Sequence, residues 1–140
     1  LKDEENSKKL WNGGWMHTGD IGVIDADGWL KITDRIKDVI KTGGEWISSL
    51  DLEGLIVQHD GVAECAVVGV EDQKWGERPV ALVVQGGEVD ETSIKELVGE
   101  YADKGVISRY GIPDRVVFVD ELPRTSVGKL DKKKMRTEMV

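Results

Sequence analysis

The chain has 140 residues, of which 39% are hydrophobic and 33% are charged, and its formal net charge is -8 at pH 7. This length suits one domain of ordinary size with a short appendage, and the composition is globular rather than disordered. The negative charge argues against a nucleic-acid partner, and no apolar run approaches the length that crosses a bilayer, so we expect no transmembrane segment.

The N-terminal part predicts a β-hairpin within a longer protein. Its first residues, LKDEENSKKLW, lack the features of a signal peptide and an initiator methionine, which predicts an interior segment. Residues 21–32 then place an Asp-Gly pair between two short apolar stretches. This pattern is typical of a hairpin, because Asp-Gly tolerates the positive φ angles of a tight turn.

The middle of the chain predicts one helix and two buried strands. Ser48, with an aspartate three residues later, predicts the start of an amphipathic helix that ends near Gly61. The apolar runs at residues 62–70 and 78–87 predict two mostly buried strands, joined by the polar segment EDQKWGE.

The C-terminal part predicts two helices and one strand. Apolar residues recur at helical spacing over residues 94–101, after the capping-prone sequence DETS. Residues 114–122 predict a third strand, and a charged helix follows it. The expected fold class is therefore α+β: a small three-stranded sheet with packed helices, preceded by the hairpin.

The cysteine and histidine content predicts no metal site. Cys65 is the single cysteine and lies in the apolar run VAECAVVGV, where a buried free thiol is the expected state. The two histidines, His17 and His59, are too far apart in sequence to complete a convincing zinc site with it. A lone unpaired cysteine is typical of a reducing compartment, so we expect a cytoplasmic protein.

Four polar segments that contain glycine or charge lie at the ends of the predicted elements: MHTGD at 16–20, DRIKD at 34–38, KTGGEW at 41–46 and PRTSVGK at 123–129. In the first, Asp20 could accept hydrogen bonds from a ribose diol or form a turn into the hairpin. In the second, Arg35 could donate to ribose or phosphate oxygens, or pair with Asp34 or Asp38 at the surface. Each segment is ambiguous when taken alone.

The segment KTGGEW contains two adjacent glycines, Gly43 and Gly44. Without Cβ atoms, they allow a ligand or another backbone to approach closely, although a tight turn is the simpler interpretation. Trp46 could line a narrow channel or anchor the loop in the core.

The segment PRTSVGK ends in Gly-Lys, as a phosphate-binding P-loop does. However, Pro123 stands where that motif requires its first glycine, and Leu130 stands where it requires serine or threonine. What remains is a flexible loop that presents Lys129. Such a cation can neutralise charge that develops on a phosphate, or it can be an ordinary exposed lysine.

Taken together and in order, HTGD, DRIKDVIKTGGEWISSLDLE and PRTSVGK resemble the closing motifs of the adenylate-forming superfamily, which includes acyl-CoA synthetases, luciferases and peptide-synthetase adenylation domains. The resemblance covers essentially the whole chain, and KTGGEWIS is similar to the fatty acyl-CoA synthetase form of its motif. It implies part of an AMP-forming ligase that activates a medium- or long-chain fatty acid with ATP and transfers the acyl group to CoA. The whole enzyme would use ATP, CoA and Mg²⁺.

The resemblance also implies a domain boundary and an ATP site. Residues 1–36 would end the large N-terminal adenylation domain, residues 37–140 would form a mobile C-terminal domain, and Lys37 would be the hinge. Two residues, Asp20 and Arg35, would hold the ribose of ATP. In the adenylation pose, the catalytic cation would be Lys129.

After rotation of the mobile domain, a second group of residues would border the CoA tunnel: Gly43, Gly44, Glu45 and Trp46. Tyr110 is a further CoA candidate. Many relatives carry an aromatic residue, a lysine and a proline in this region, whereas residues 110–113 of this chain read YGIP. One contact to a CoA phosphate is therefore missing, and Arg109 or Arg115 could replace it.

Two hypotheses follow for the function of the chain. The leading one is a C-terminal domain that is inactive by itself, has its own N-terminal domain as partner, acts on a fatty acid and CoA, and binds no cofactor tightly. The alternative is a stand-alone binding or regulatory module of the same fold. The segment HTGD and the hinge would serve no purpose in such a module, which favours the enzyme.

Overall fold

The computed structural model describes residues 3–140, and the chain divides between Lys37 and Asp38 into two compact units. The described part of the first unit, residues 3–37, contains one helix, one 3-10 turn and two strands: α1 (Glu4–Leu10), Asn12–Gly14, β1 (Asp20–Ile24) and β2 (Leu30–Arg35). The second unit contains three helices, a 3-10 turn and five strands: β3 (Ile40–Thr42), β4 (Glu45–Ile47), α2 (Ser49–Ile56), β5 (Val62–Asp72), β6 (Gly76–Gln85), α3 (Glu91–Asp103), Arg109–Gly111, β7 (Arg115–Phe118) and α4 (Lys132–Glu138).

The predicted hairpin is confirmed in the first unit, where β1 and β2 pair in antiparallel fashion. The turn is held by the Asp25 carboxylate, which accepts hydrogen bonds from the backbone N–H groups of Asp27 (3.0 Å) and Trp29 (2.9 Å). Gly28 supplies the positive φ of 85°. Several apolar side chains of the hairpin are exposed: Val23, Ile24, Trp29, Leu30 and Ile32.

The second unit is built on a five-stranded sheet with the order β4-β3-β6-β5, in which β7 also pairs with β6. The β6–β7 pairing is parallel, and the others are antiparallel. The predicted α+β class is confirmed, and the three predicted strands are β5, β6 and β7. The expected size of the sheet was wrong, because β3 and β4 add two strands. At three residues each, they are too short to show a hydrophobic period.

Both faces of the β5–β6 pair are buried. On one face, residues of β5 and β6 such as Val67 and Val83 pack with Leu52 of α2 and Ile94 of α3. On the other face, alternate residues of the same strands pack with Met135 of α4. Because neighbouring residues in a strand point to opposite faces, an apolar run in each strand supplies both cores.

The starts of α2 and α3 agree with the capping residues predicted from the sequence, whereas the end of α2 differs from the prediction. The Ser48 hydroxyl accepts a hydrogen bond from the Asp51 N–H at 3.1 Å, and Asp90 and Ser93 form a capping box at the start of α3. However, α2 ends at Ile56 rather than near Gly61. Beyond it, backbone hydrogen bonds reach three residues back, from Gln58 to Leu55, so the chain turns tightly into β5.

Cys65 is free and buried, as expected. Burial, together with the nearby Glu53 carboxylate, raises the pKa of its thiol to about 12. The thiol is therefore protonated and unreactive near neutral pH. No helix among the described residues is long and apolar enough to cross a membrane.

A pair of glycine substitutions tests the packing where the chain enters β5. A Cβ atom at Gly61 would lie 2.4 Å from the Glu88 carbonyl oxygen, whereas a Cβ atom at Gly54 in α2 would meet nothing within 4 Å. We expect Gly61→Ala to lower the free energy of unfolding by about 1–3 kcal/mol. Gly54→Ala is the matched control and should raise it by up to about 1 kcal/mol, because alanine favours the helix. Urea denaturation measures both, and equal stability of the two variants would contradict the packing described.

Candidate functional site

Lys129 is exposed on a short loop between β7 and α4. The loop is closed at its base by an antiparallel bridge between Arg124 and Leu130. Within it, the Thr125 N–H donates to the Lys129 carbonyl oxygen at 2.7 Å, and the Gly128 N–H donates to the Thr125 carbonyl oxygen at 2.9 Å. The backbone beneath Lys129 is therefore fixed by hydrogen bonds, while its side chain lies at the surface.

The loop is tied to the strand at one edge of the sheet. Arg124 donates to the Glu64 carboxylate of β5 at 2.8 Å and to the Gly128 carbonyl oxygen at 3.3 Å. Leu122, just before the loop, is buried against the same face of the sheet as α4. The stem of the loop is thus part of the core, and its tip projects from it.

The glycine pair lies at the opposite edge of the sheet. Gly43 and Gly44 have φ angles of 60° and 86° and form the two-residue turn between β3 and β4. Positive φ at both positions is the geometry that a tight hairpin of this kind requires. The simpler interpretation of the glycines, a tight turn, is therefore confirmed as their local structure.

Gly43 also packs closely against the ring of Tyr110, whereas Gly44 has no such neighbour. A Cβ atom at Gly43 would lie 2.8 Å from the ring of Tyr110, whereas a Cβ atom at Gly44 would meet nothing within 4 Å. The Gly43 N–H donates to the Trp75 carbonyl oxygen at 2.9 Å, and the rings of Trp75 and Tyr110 lie 5.5 Å apart. The aromatic pair thus supports the glycine turn.

The contact of Trp75 with Tyr110 has no signal in the sequence pattern. It belongs to the segment EDQKWGE, whose polar composition predicts only a connection between two strands. In the structure β5 and β6 extend into this segment, so that only residues 73–75 remain between them. Asp72 accepts hydrogen bonds from the backbone of Lys74 and Trp75, each at 2.8 Å. The turn presents Trp75 to Tyr110, a contact between residues far apart in sequence.

Trp46 and Glu45, the other predicted tunnel residues, lie on β4 and are exposed. Trp46 is 61% exposed, and the Lys41 ammonium lies 5.4 Å from the centre of its ring. The sequence allowed Trp46 either to anchor the loop in the core or to line a channel. The first interpretation is wrong for this unit, because the ring is exposed. An exposed aromatic ring beside the glycine turn remains available to line a channel.

The two residues predicted to hold a ribose are neighbours in the first unit. Asp20 and Arg35 are register partners on β1 and β2, and the Arg35 Nε lies 3.4 Å from the Asp20 carboxylate. Asp34 and Asp38 were the alternative surface partners for the Arg35 side chain, and their carboxylates contact other groups. The Asp34 carboxylate accepts from the Arg35 backbone N–H at 2.7 Å, and Asp38 pairs with Arg136 of α4 at 2.8 Å.

An open cavity of about 270 Å³ adjoins this pair in the first unit, lined by Thr18, Gly19, Arg35, Ile36 and Lys37. Gly19 has a φ of 75°, and its carbonyl oxygen accepts from the Ile36 N–H at 2.8 Å. Lys37, the predicted hinge, is exposed and is the last residue of the unit. Among residues 3–140, no group of three histidine, cysteine, aspartate or glutamate side chains could hold a metal ion.

The family of the chain follows from comparison with known proteins. The family model described as "AMP-binding enzyme C-terminal domain" matches residues 51–129, more than half of the chain. The chain belongs to this family. The predicted resemblance to adenylate-forming enzymes is confirmed.

Two curated relatives of this AMP-binding C-terminal domain are acyl-CoA ligases. The 3-methylmercaptopropionyl-CoA ligase of Ruegeria lacuscaerulensis is 47% identical over 138 residues, which are 99% of this chain and 24% of the relative. The long-chain-fatty-acid–CoA ligase of Thermus thermophilus is 43% identical over 136 residues, which are 97% of this chain and 25% of the relative. The chain spans about a quarter of the length of the curated relatives it matches.

A solved structure has the same fold. The amide bond synthetase McbA from Marinactinospora thermotolerans matches with a TM-score of 0.85 and 36% identity, over 99% of this chain and 28% of McbA. The enzymes to which this chain is similar are therefore named for different acids and for different products.

Alanine at each glycine of the turn tests the contact with Tyr110. Both substitutions force a positive φ on alanine, which costs about 1–2 kcal/mol. Gly43→Ala also drives a methyl group into the Tyr110 ring, so we expect it to lower the melting temperature more than Gly44→Ala does. In a Tyr110→Ala background the two should become equal, because the ring is gone. A persistent difference would show that something other than Tyr110 restricts Gly43.

Proposed function

We propose that the chain is the C-terminal part of an AMP-forming acyl-CoA ligase, and that Lys129 acts in its first half-reaction. The observation that carries this proposal is the placement of Lys129 on a loop whose backbone is fixed, at the sheet edge opposite the turn formed by Gly43 and Gly44. One domain with two functional edges can serve two reactions by presenting each edge in turn.

The first half-reaction needs a cation. Attack of a carboxylate oxygen on the α-phosphate of ATP forms a phosphorus–oxygen bond and expels pyrophosphate, and negative charge builds up on the phosphate oxygens as it proceeds. A positive group already held in place stabilises this charge without reorganisation. Lys129, exposed at the tip of its loop, is suited to this role.

The second half-reaction needs positioning. The CoA thiol loses its proton to solvent and its sulfur attacks the acyl carbon of the acyl-adenylate. The carbon–sulfur bond of the thioester forms, and the bond from the acyl carbon to the phosphate oxygen breaks, so that AMP leaves with the bonding electrons. Little new charge develops on phosphate, so the main requirement is a narrow and oriented approach. The turn at Gly43 and Gly44, with Glu45 and the exposed ring of Trp46 beside it, offers a surface without bulky side chains at its tip. We assign it to the CoA tunnel, with Tyr110 supporting it.

Residues 1–36 would end a large N-terminal domain, and the mobile domain would begin with the hinge at Lys37. The division of the chain after Lys37 and the exposed apolar side chains of the hairpin support this assignment. Asp20 and Arg35 would hold the ribose of ATP. The N-terminal domain would also hold the Mg²⁺ that accompanies ATP, as the resemblance to adenylate-forming enzymes implies.

For the acid, we propose a medium- or long-chain fatty acid. The KTGGEWIS form of the tunnel motif and the 43% identity to a relative named as a long-chain-fatty-acid ligase support this choice. The pocket for the acid would lie in the N-terminal domain, so the chain alone would be inactive. The acceptor would be CoA, as the names of the two curated relatives suggest.

Removal of the Lys129 charge tests the assignment of the two half-reactions. In the full-length protein, we expect Lys129→Ala to slow adenylation by about a hundredfold or more, the scale of a lost transition-state contact. Thioester formation from preformed acyl-adenylate should be unchanged. Pyrophosphate release with palmitate measures the first step, and thioester formation from palmitoyl-adenylate measures the second.

Lys133→Ala is the matched control, since Lys133 is also an exposed lysine and lies only four residues away. It should leave both steps unchanged. Equal losses in both half-reactions for Lys129→Ala would refute the assignment of Lys129 to adenylation. A full-length protein that forms no acyl-adenylate from any acid would refute the ligase itself.

A further inference from the structure

Lys132, the first residue of α4, is a lysine whose side chain is turned inward. Its ammonium lies 2.6 Å from a carboxylate oxygen of Glu53 and donates a hydrogen bond to the Ser49 hydroxyl at 2.7 Å. The side chains of Lys132 and Glu53 are only 10% and 12% exposed, and Ser49 is fully buried. Both partners lie on α2, so this cation joins the start of α4 to α2.

The same carboxylate also binds the edge of the sheet. A Glu53 oxygen accepts a hydrogen bond from the Val67 backbone N–H of β5 at 2.8 Å. β5 is an edge strand, and its outward N–H groups need partners from outside the sheet. Glu53 supplies one such partner and at the same time binds Lys132. Three elements, α2, β5 and α4, therefore meet at one ion pair.

An apolar contact would hold these elements together as well as an ion pair does. Burial of two charges costs desolvation energy, and apolar residues of similar size are often equally stabilising. A short ion pair with hydrogen bonds on both partners differs from an apolar contact in being directional. Its distinctive effect is that it sets where α4 begins relative to α2 and β5.

The position at which α4 begins also sets the position of the Lys129 loop. Lys132 follows Lys129 by three residues, and between them Leu130 closes the base of the loop and the Asp131 N–H donates to the Pro123 carbonyl oxygen at 2.8 Å. The other anchor, Arg124 to Glu64, is about half exposed on both partners, and exposed pairs hold their partners weakly. Lys132 is the buried anchor of this loop.

We infer that Lys132, held by Glu53 and Ser49, is a positioning residue for adenylation: it fixes the loop so that Lys129 reaches the reacting phosphate. This inference rests on the proposed role of Lys129. Lys132 itself touches no substrate, and its effect on the rate passes through Lys129. A displacement of about 1 Å in a catalytic group can cost a hundredfold in rate.

The test uses Lys132→Met in the full-length protein, which keeps the length of the side chain and removes its charge. We expect kcat for adenylation to fall by about tenfold or more, with little change in KM for ATP and no change in thioester formation from preformed acyl-adenylate. Lys132→Arg keeps the charge and the donors, so it should restore part of the lost rate.

Lys95→Met is the matched control. Lys95 bridges a carboxylate oxygen of Glu91 and the Asp114 carbonyl oxygen, each at 2.6 Å, in a part of the same unit that does not carry the loop. It should leave both half-reactions unchanged. If Lys132→Met fails to fold, Lys132→Met combined with Glu53→Gln removes both buried charges and keeps an acceptor for Val67, and the same loss of adenylation is expected.

Combination with Lys129→Ala separates this inference from the proposed function. If Lys132 acts through Lys129, Lys132→Met should cost no further adenylation rate when Lys129 is already alanine. Additive losses, or equal losses in both half-reactions, would overturn the positioning role. If Lys129→Ala alone leaves adenylation unchanged, the proposed function itself fails. If Lys129→Ala slows adenylation and Lys132→Met does not, only the positioning role fails.

Discussion

The antiparallel pairing of β5 with β6, two strands with apolar side chains on both faces, is the constraint on which the second unit depends. Because both faces must be covered, α2 and α3 pack on one side and α4 packs on the other. The two remaining partners of β6 are then β3 and β7, on the edge away from β5. The Lys129 loop is tied to β5 and the Gly43–Gly44 turn joins β3 and β4, so the core determines where both candidate segments lie.

Under the proposed function, this arrangement would let so small a domain take part in two reactions with different needs. Adenylation needs positive charge, and Lys129 stands on a loop joined to β5 through Arg124 and to α2 through Lys132. Thioester formation needs a narrow approach, and the β3–β4 turn offers two residues without side chains. In the proposed account, rotation about Lys37 exchanges one edge for the other, and the domain itself stays unchanged.

Local signals in the sequence were sufficient to predict much of this structure. They could not predict contacts between residues that lie far apart in the chain. The hairpin, the caps at Ser48 and Asp90 and the three longest strands of the five-stranded sheet follow from periodicity and turn chemistry within a few residues. The support of Gly43 by Trp75 and Tyr110, and the ion pair of Lys132 with Glu53, join residues 30 or more positions apart. The ordered motifs singled out Lys129 as a candidate, whereas the ion pair that we propose as the anchor of its loop is visible only in the tertiary structure.

The most direct test of the account is a crystal structure of the full-length protein with a non-hydrolysable ATP analogue and a fatty acid. The account predicts that the Lys129 ammonium lies within hydrogen-bond distance, about 3 Å, of an α-phosphate oxygen. It also predicts that the Gly43–Gly44 turn lies away from the nucleotide in that state. A structure in which the turn meets the nucleotide while Lys129 remains in solvent, with another cation on the α-phosphate, would contradict the account.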